Sequence, residues 1–261
     1  MTDPQAVSQP CWYELGTPDL DAATAFYAHV LPWTIVPSGM EGMDYRLAND
    51  HDGNGVAGLM DLGDQIDAPL PNWIFYLAVP DADAKATEVT EAGGLVIAPP
   101  ADIPGTGRFA VCADPQGAVF GVLAPAPMEG GAPTVGAYDQ SVPGHGNWHE
   151  LVTSDPDAAA EFYGTLFGWT KSTVLDMGES GTYQLVAADG HDIAGIMGLM
   201  GAPRPSWGVV FGVEGVNPAV EAARAAGATV VREPMEVPGG SWAAYLVDPQ
   251  GAHFAVAGPK G

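Results

Sequence analysis

Apolar and polar residues alternate along the chain in short bursts, and each set of bursts is interrupted by one amphipathic stretch at helical spacing. Trp12–Gly16 reads as a strand and Asp19–Val30 as a helix. Asp19 and Asp21 suit the helix start, as a cap and as charge at the positive end of the dipole. Short strands are predicted near Asp44–Ala48 and Val56–Asp61. The order then restarts: strand Trp73–Val79, helix Asp81–Ala92 stopping at Gly93-Gly94, and strands near Val96, Arg108–Ala113 and Val119–Leu123. The second half predicts strand Trp148–Thr153, helix Asp155–Leu166, and strands near Tyr183–Ala187 and Ile193–Leu199. It restarts with strand Trp207–Val213, helix Asn217–Ala226, and strands near Thr229–Val231, Ala243–Asp248 and His253–Ala257. Four strand–helix–strands units therefore follow one another.

The halves repeat. Asp19-Leu20-Asp21-Ala22-Ala23-Thr24-Ala25-Phe26-Tyr27 matches Asp155-Pro156-Asp157-Ala158-Ala159-Ala160-Glu161-Phe162-Tyr163. Leu31-Pro32-Trp33 matches Phe167-Gly168-Trp169, and Asp114-Pro115-Gln116-Gly117-Ala118 matches Asp248-Pro249-Gln250-Gly251-Ala252. The offset stays between 134 and 136 residues, as 248 less 114 and 155 less 19 show. A constant offset of that size implies two homologous domains rather than a solenoid. The expected division is an N-terminal tail at 1–9, a first domain at 10–124, a Pro/Gly-rich linker at 125–146 and a second domain at 147–261.

Composition narrows the class of partner. Eight Lys and Arg face 32 Asp and Glu, a net charge of −24, which repels phosphate backbones and anionic membranes. No apolar run reaches membrane-spanning length, and the first residues lack a signal-peptide pattern. A cytoplasmic protein without nucleic-acid or membrane partners is expected. Cys11 and Cys112 make no disulfide framework. No phosphate loop or nucleophile elbow is present, and no cofactor is expected.

Four βαβββ units, a Phe-Tyr on the opening helix, a following Pro-Trp or Gly-Trp, and a late Asp-Pro-x-Gly turn together resemble the vicinal oxygen chelate superfamily. That superfamily includes glyoxalases, extradiol dioxygenases and bleomycin-type resistance proteins. The resemblance runs from about Pro10 to Pro259 and is nearest to two-domain actinobacterial glyoxalase-like proteins. It implies an α+β fold of tandem βαβββ modules, forming two domains whose curved mixed sheets surround concave cavities. It also implies a divalent metal held by His, Gln and Glu, but the matching positions carry Trp12, Ile74 and Gly121 in one half and Trp148, Gly208 and Ala255 in the other. None of these donates to a hard or borderline ion, so no metal is expected.

Strand alternation then selects what faces the cavities. Trp12 and Glu14 share a face, as do Ile74 and Tyr76, and Trp148 and Glu150. Glu14, Tyr76, Arg46, Glu150 and His253 are the candidate catalytic groups. A Glu150–His253 dyad is one arrangement, and Arg46 or Arg108 beside Glu14 or an anionic or phenolic ligand oxygen is another. Trp12, Trp148, Met60, Arg108 and Ile74 are the candidate substrate-binding groups, since flat and polarisable walls suit aromatic ligands. Each carboxylate has a plain structural alternative, that of holding a backbone amide or an Arg. The leading expectation is metal-independent acid–base chemistry, of dehydratase, cyclase or isomerase type, on a small aromatic or polyketide-like metabolite. A non-catalytic, drug-sequestering protein and a metal-dependent glyoxalase or dioxygenase are the alternatives. Four modules in one chain allow a monomer or a homodimer.

Overall fold

A computed structural model describes residues 8–40, 42–63, 70–126 and 136–261. Tail residues 1–7 and linker residues 127–135 lie outside the described residues. Each quarter of the chain folds as β-α-β-β-β. The first module comprises β1 (Pro10–Thr17), α1 (Leu20–Val30), β2 (Thr34–Pro37), β3 (Tyr45–Asn49) and β4 (Gly55–Asp61). The second comprises β5 (Asn72–Ala78), α2 (Ala82–Glu91), β6 (Leu95–Ile103), β7 (Gly107–Ala113) and β8 (Val119–Pro125). The third has β9 (Gly146–Thr153), α3 (Pro156–Phe167), β10 (Thr170–Asp176), β11 (Thr182–Ala188) and β12 (His191–Gly198). The fourth has β13 (Ser206–Gly212), α4 (Val216–Ala225), β14 (Thr229–Glu236), β15 (Trp242–Val247) and β16 (His253–Gly258). The strands order as β2-β3-β4-β1-β5-β8-β7-β6 and β10-β11-β12-β9-β13-β16-β15-β14. Both sheets are mixed: β1 runs parallel to β4 and antiparallel pairs fill out each module. This is the expected α+β architecture of tandem βαβββ modules.

Local chemistry explains the elements. Asp19, Asp81 and Asp155 each cap a helix by accepting backbone N–H bonds from its first turn. Pro156 opens α3, and Gly168 closes it in the left-handed conformation at φ 69°. Two strands were absent from the sequence expectation, β2 and β10. Both are edge strands with mostly exposed residues, so they lack the alternation that marks a half-buried strand.

Contacts gather the chain into two compact units that interleave the sequence halves. One unit joins Trp12–Ile74 with the end of the linker and Gly208–Gly261, that is, modules one and four. Its core is aromatic. Trp73 Nε1 donates to Tyr27 Oη at 2.9 Å, and Tyr27 donates to Asp248 Oδ2 at 2.9 Å. Asp248 Oδ1 in turn accepts the N–H groups of Gln250, Gly251 and Ala252 at 2.8–2.9 Å. The other unit joins the second module from Phe75 with His149–Trp207, and it repeats the network. Trp207 donates to Tyr163 at 2.7 Å, Tyr163 donates to Asp114 at 3.2 Å, and Asp114 Oδ1 holds Gln116 and Ala118 N–H. The helix Phe-Tyr and the Asp-Pro-Gln-Gly turn are thus two ends of one internal staple. A buried carboxylate is tolerated there because every acceptor is used.

Candidate functional site

The staples account for the repeated motifs without any ligand. What remains on the first-module sheet is a second repeated cluster. In β1, Trp12 and Glu14 lie two residues apart on one face, and Tyr45 of β3 reaches both. Trp12 Nε1 donates to Tyr45 Oη at 3.1 Å, and Tyr45 Oη donates to Glu14 Oε2 at 3.1 Å. The intervening strand makes room. Gly58 of β4 stands in register with Glu14, and a Cβ there would collide with the Tyr45 hydroxyl. Met60 sits directly opposite Tyr45 across β3 and β4. Trp12, Glu14, Tyr45 and Met60 are all half-buried, so part of each side chain meets solvent. Burial, then the neighbouring Glu14 charge, push the Tyr45 phenol well above its usual pKa, so it acts as a hydrogen-bond donor rather than a base.

The third module builds the same cluster. Tyr183 Oη donates to Glu150 Oε1 at 2.9 Å, Gly195 pairs in register with Glu150, and a Cβ on Gly195 would collide with the Tyr183 ring. Met197 stands opposite Tyr183. Trp148 is half-buried on β9, two residues before Glu150.

Other expected site residues fall elsewhere. Arg46 follows Tyr45 and so points to the opposite face, where it bonds Thr24 at 3.1 Å and pairs with Asp21 and Asp44. Arg108 likewise pairs with Asp83 and Asp102 and donates to the Pro100 carbonyl. Both arginines clamp the side of the sheet that carries the helices, and this corrects the expectation that they face a ligand. His253 is exposed at the first residue of β16, opposite Val247, a correction to its expected inward orientation. Tyr76 is buried with its ring across Gly121 and its edge toward Phe109, while Ile74 is half-buried two residues earlier on β5. Tyr45 and Tyr183 were not singled out in the sequence. The available signal was Tyr-x-Leu recurring at Tyr45-Arg46-Leu47 and Tyr183-Gln184-Leu185, each followed by a strand Gly-x-Met.

These geometries coincide with a known family. Residues 11–122 match the model of the Glyoxalase/Bleomycin resistance protein/Dioxygenase superfamily, and residues 149–257 match that of a glyoxalase-like domain. The chain belongs to this superfamily. It is 36% identical to the anthracycline biosynthesis protein DnrV of Streptomyces peucetius, over 96% of this chain and 93% of that protein. The Mn(II)-bound glyoxalase of Novosphingobium aromaticivorans shares the fold at a TM-score of 0.66 and 20% identity, covering 97% of this chain and 82% of that one. The 2,2',3-trihydroxybiphenyl 1,2-dioxygenase of Sphingomonas wittichii shares it at 0.67 and 13%, covering 96% and 90%.

The superfamily's divalent metal can be tested against the donor set. Trp12, at one position to which the resemblance assigns a ligand, commits its indole N–H to Tyr45, and the Tyr76 ring lies against Gly121, at another. Among the described residues, no group of three His, Cys, Asp or Glu side chains is placed to hold an ion. The residues present do not fit the group. No described helix is long and apolar enough to cross a membrane.

Proposed function

We propose that this protein is a secondary-metabolism enzyme that performs metal-independent acid–base chemistry on a small aromatic or polyketide-like metabolite. Dehydration, cyclisation and isomerisation fit best, because they need no redox partner. The observation that carries the reading is the carboxylate–phenol pair, Glu14–Tyr45 and Glu150–Tyr183, built twice beside Trp12 and Trp148, the positions to which the resemblance assigns a metal ligand. The relation to a protein of anthracycline biosynthesis supports the substrate class.

The roles follow from the hydrogen bonds. Glu14 takes or returns a proton at the substrate. Tyr45 keeps its proton and turns the carboxylate to a fixed orientation, which shortens the search for a reactive geometry. The Trp12 indole N–H fixes the Tyr45 oxygen in turn, and its ring offers a stacking surface. Met60 adds an adaptable apolar wall.

The test begins with an extract from a strain lacking the protein, in which the substrate accumulates. Purified protein is expected to convert that metabolite to a product of equal mass or of mass lower by one water. The double variant Glu14→Gln, Glu150→Gln is expected to slow conversion by about 10²–10⁴-fold. Conversion at the wild-type rate by the double variant overturns the assignment. A metabolite that binds but is recovered unchanged points to sequestration.

A further inference from the structure

The two clusters are alike in three respects, each within its own compact unit. A carboxylate receives a tyrosine hydroxyl, the tyrosine crosses a glycine, and a methionine faces the tyrosine on the next strand. Elsewhere the modules have drifted apart. Arg46 answers to Gln184, and Tyr13 answers to His149. Against that drift the carboxylate, tyrosine, glycine and methionine are kept in both units.

Each cluster contributes a carboxylate and no cation of its own. Seven of the eight Lys and Arg are engaged away from both clusters. Arg46, Lys85, Arg108, Lys171 and Arg224 pair with carboxylates, while Arg232 and Lys260 lie over the rings of Tyr245 and Trp242. The eighth, Arg204, is exposed beside β13. A carboxylate accepts hydrogen bonds at several lone pairs and repels another anion, inside a chain whose net charge is −24. The ring and thioether beside it add flat, polarisable surface.

We propose that each chain carries two ligand sites of one chemistry, at Glu14–Tyr45–Met60 and at Glu150–Tyr183–Met197, each taking a neutral aromatic hydroxyl donor and turning anions away. This rests on the reading of Glu14 and Glu150 as the working carboxylates. It adds that both sites are occupied together and that the ligand's charge decides entry.

Three matched probes test it on the full chain: 2-naphthol, naphthalene and 2-naphthoate, titrated at neutral pH by equilibrium dialysis with ligand-observed NMR. Two molecules of 2-naphthol per chain are expected, bound about tenfold or more tighter than 2-naphthoate. Glu14→Gln and Glu150→Gln are each expected to remove the hydroxyl preference at one site. The double variant is expected to bind 2-naphthol and naphthalene within about threefold of each other, and to admit 2-naphthoate more readily than the wild type. Tyr45→Phe and Tyr183→Phe keep the ring over the glycine and are expected to weaken the hydroxyl preference by a smaller factor. Saturation at one molecule or fewer, or equal affinity for 2-naphthol and 2-naphthoate in the wild type, overturns the proposal, and the wild-type series decides this even if a variant does not fold. Single-site saturation with turnover intact removes only the present proposal. Two-site binding with no loss of turnover in the double variant removes only the proposed chemistry.

Discussion

The two compact units run on one plan with different side chains at a few points, and those differences separate what the fold requires from what it tolerates. Both units keep the Trp–Tyr–Asp staple. Both also dock a strap onto the tryptophan that follows the first helix. Trp33 donates to the Gly144 carbonyl at 2.7 Å in one unit, and Trp169 donates to the Ser8 carbonyl at 2.8 Å in the other. The next strap residue reaches the hairpin-turn aspartate in both: His145 meets Asp50 at 3.1 Å, buried, and Gln9 meets Asp189 at 3.4 Å, exposed. In the core, Tyr13 packs edge-on to Phe211 in one unit, while its counterpart His149 packs against Phe75 in the other. The shared staple and strap bonds satisfy buried polar atoms, and the residues that differ around them fill space or tune charge.

The staple is the shared feature whose loss is expected to matter most. Removing the Tyr27 hydroxyl leaves Trp73 Nε1 and Asp248 Oδ2 each short of a partner, and removing that of Tyr163 does the same to Trp207 and Asp114. Each orphaned buried group costs about 1–3 kcal/mol, so Tyr27→Phe and Tyr163→Phe are each expected to lose about 4 kcal/mol. Urea unfolding of the two variants measures it. A loss in one unit alone would break the symmetry.

The next effect tests the difference in the core. Burial pushes the pKa of His149 down to about 4, against the small upward pull of its bond to the Ile193 carbonyl. The folded chain therefore holds a neutral imidazole that unfolding frees to take up a proton at about 6.5. Between about pH 6.5 and about 4 the unfolded state binds more protons, so stability is full above that window and falls as pH drops through it, by about 3 kcal/mol from this residue. His149→Gln keeps an N–H for the Ile193 carbonyl and removes the titration. Its stability relative to wild type is expected to rise by about 3 kcal/mol between pH 7 and pH 4. Parallel pH–stability curves for the two proteins would show that His149 is not the source.

How much of this was legible in the sequence depends on the kind of signal each part leaves. Helices α1, α2 and α3 announced themselves through Asp caps, and α2 and α3 also through the glycines that follow them, because capping is local chemistry. The repeat exposed the staple's ends, Phe-Tyr and Asp-Pro-Gln-Gly, but not that they bond each other. That pairing joins residues as distant as Tyr27 and Asp248. Glu14 and Glu150 were legible from strand alternation, whereas Tyr45 and Tyr183 were not, since their place over a glycine depends on strand register. Arg46 and Arg108 misled because scarcity of cations drew attention to them. One step along a strand reverses the face, and the helix carboxylates took them.

The smallest expected effect swaps the straps. Ser8 holds φ at 81°, a region that L side chains disfavour, and its counterpart Gly144 holds φ at 88°. The backbone bonds there are the same on both sides. Ser8 N–H meets the Ala78 carbonyl at 2.8 Å, and Gly144 N–H meets the Gly212 carbonyl at 2.8 Å. The fold imposes the left-handed turn regardless of the residue supplied. Ser8→Gly relieves the strain but frees the unfolded chain, so a gain of only about 0.5 kcal/mol is expected. Gly144→Ser is expected to lose about 1–2 kcal/mol. It introduces the strain and sets a Cβ at 3.2 Å from both Pro32 Cγ and Trp33 Nε1, where the indole already donates to the strap. Thermal unfolding of the two exchanges reads the difference directly. A destabilised Ser8→Gly variant would mean that the Ser8 side chain holds the strap in a way the glycine strap never needed.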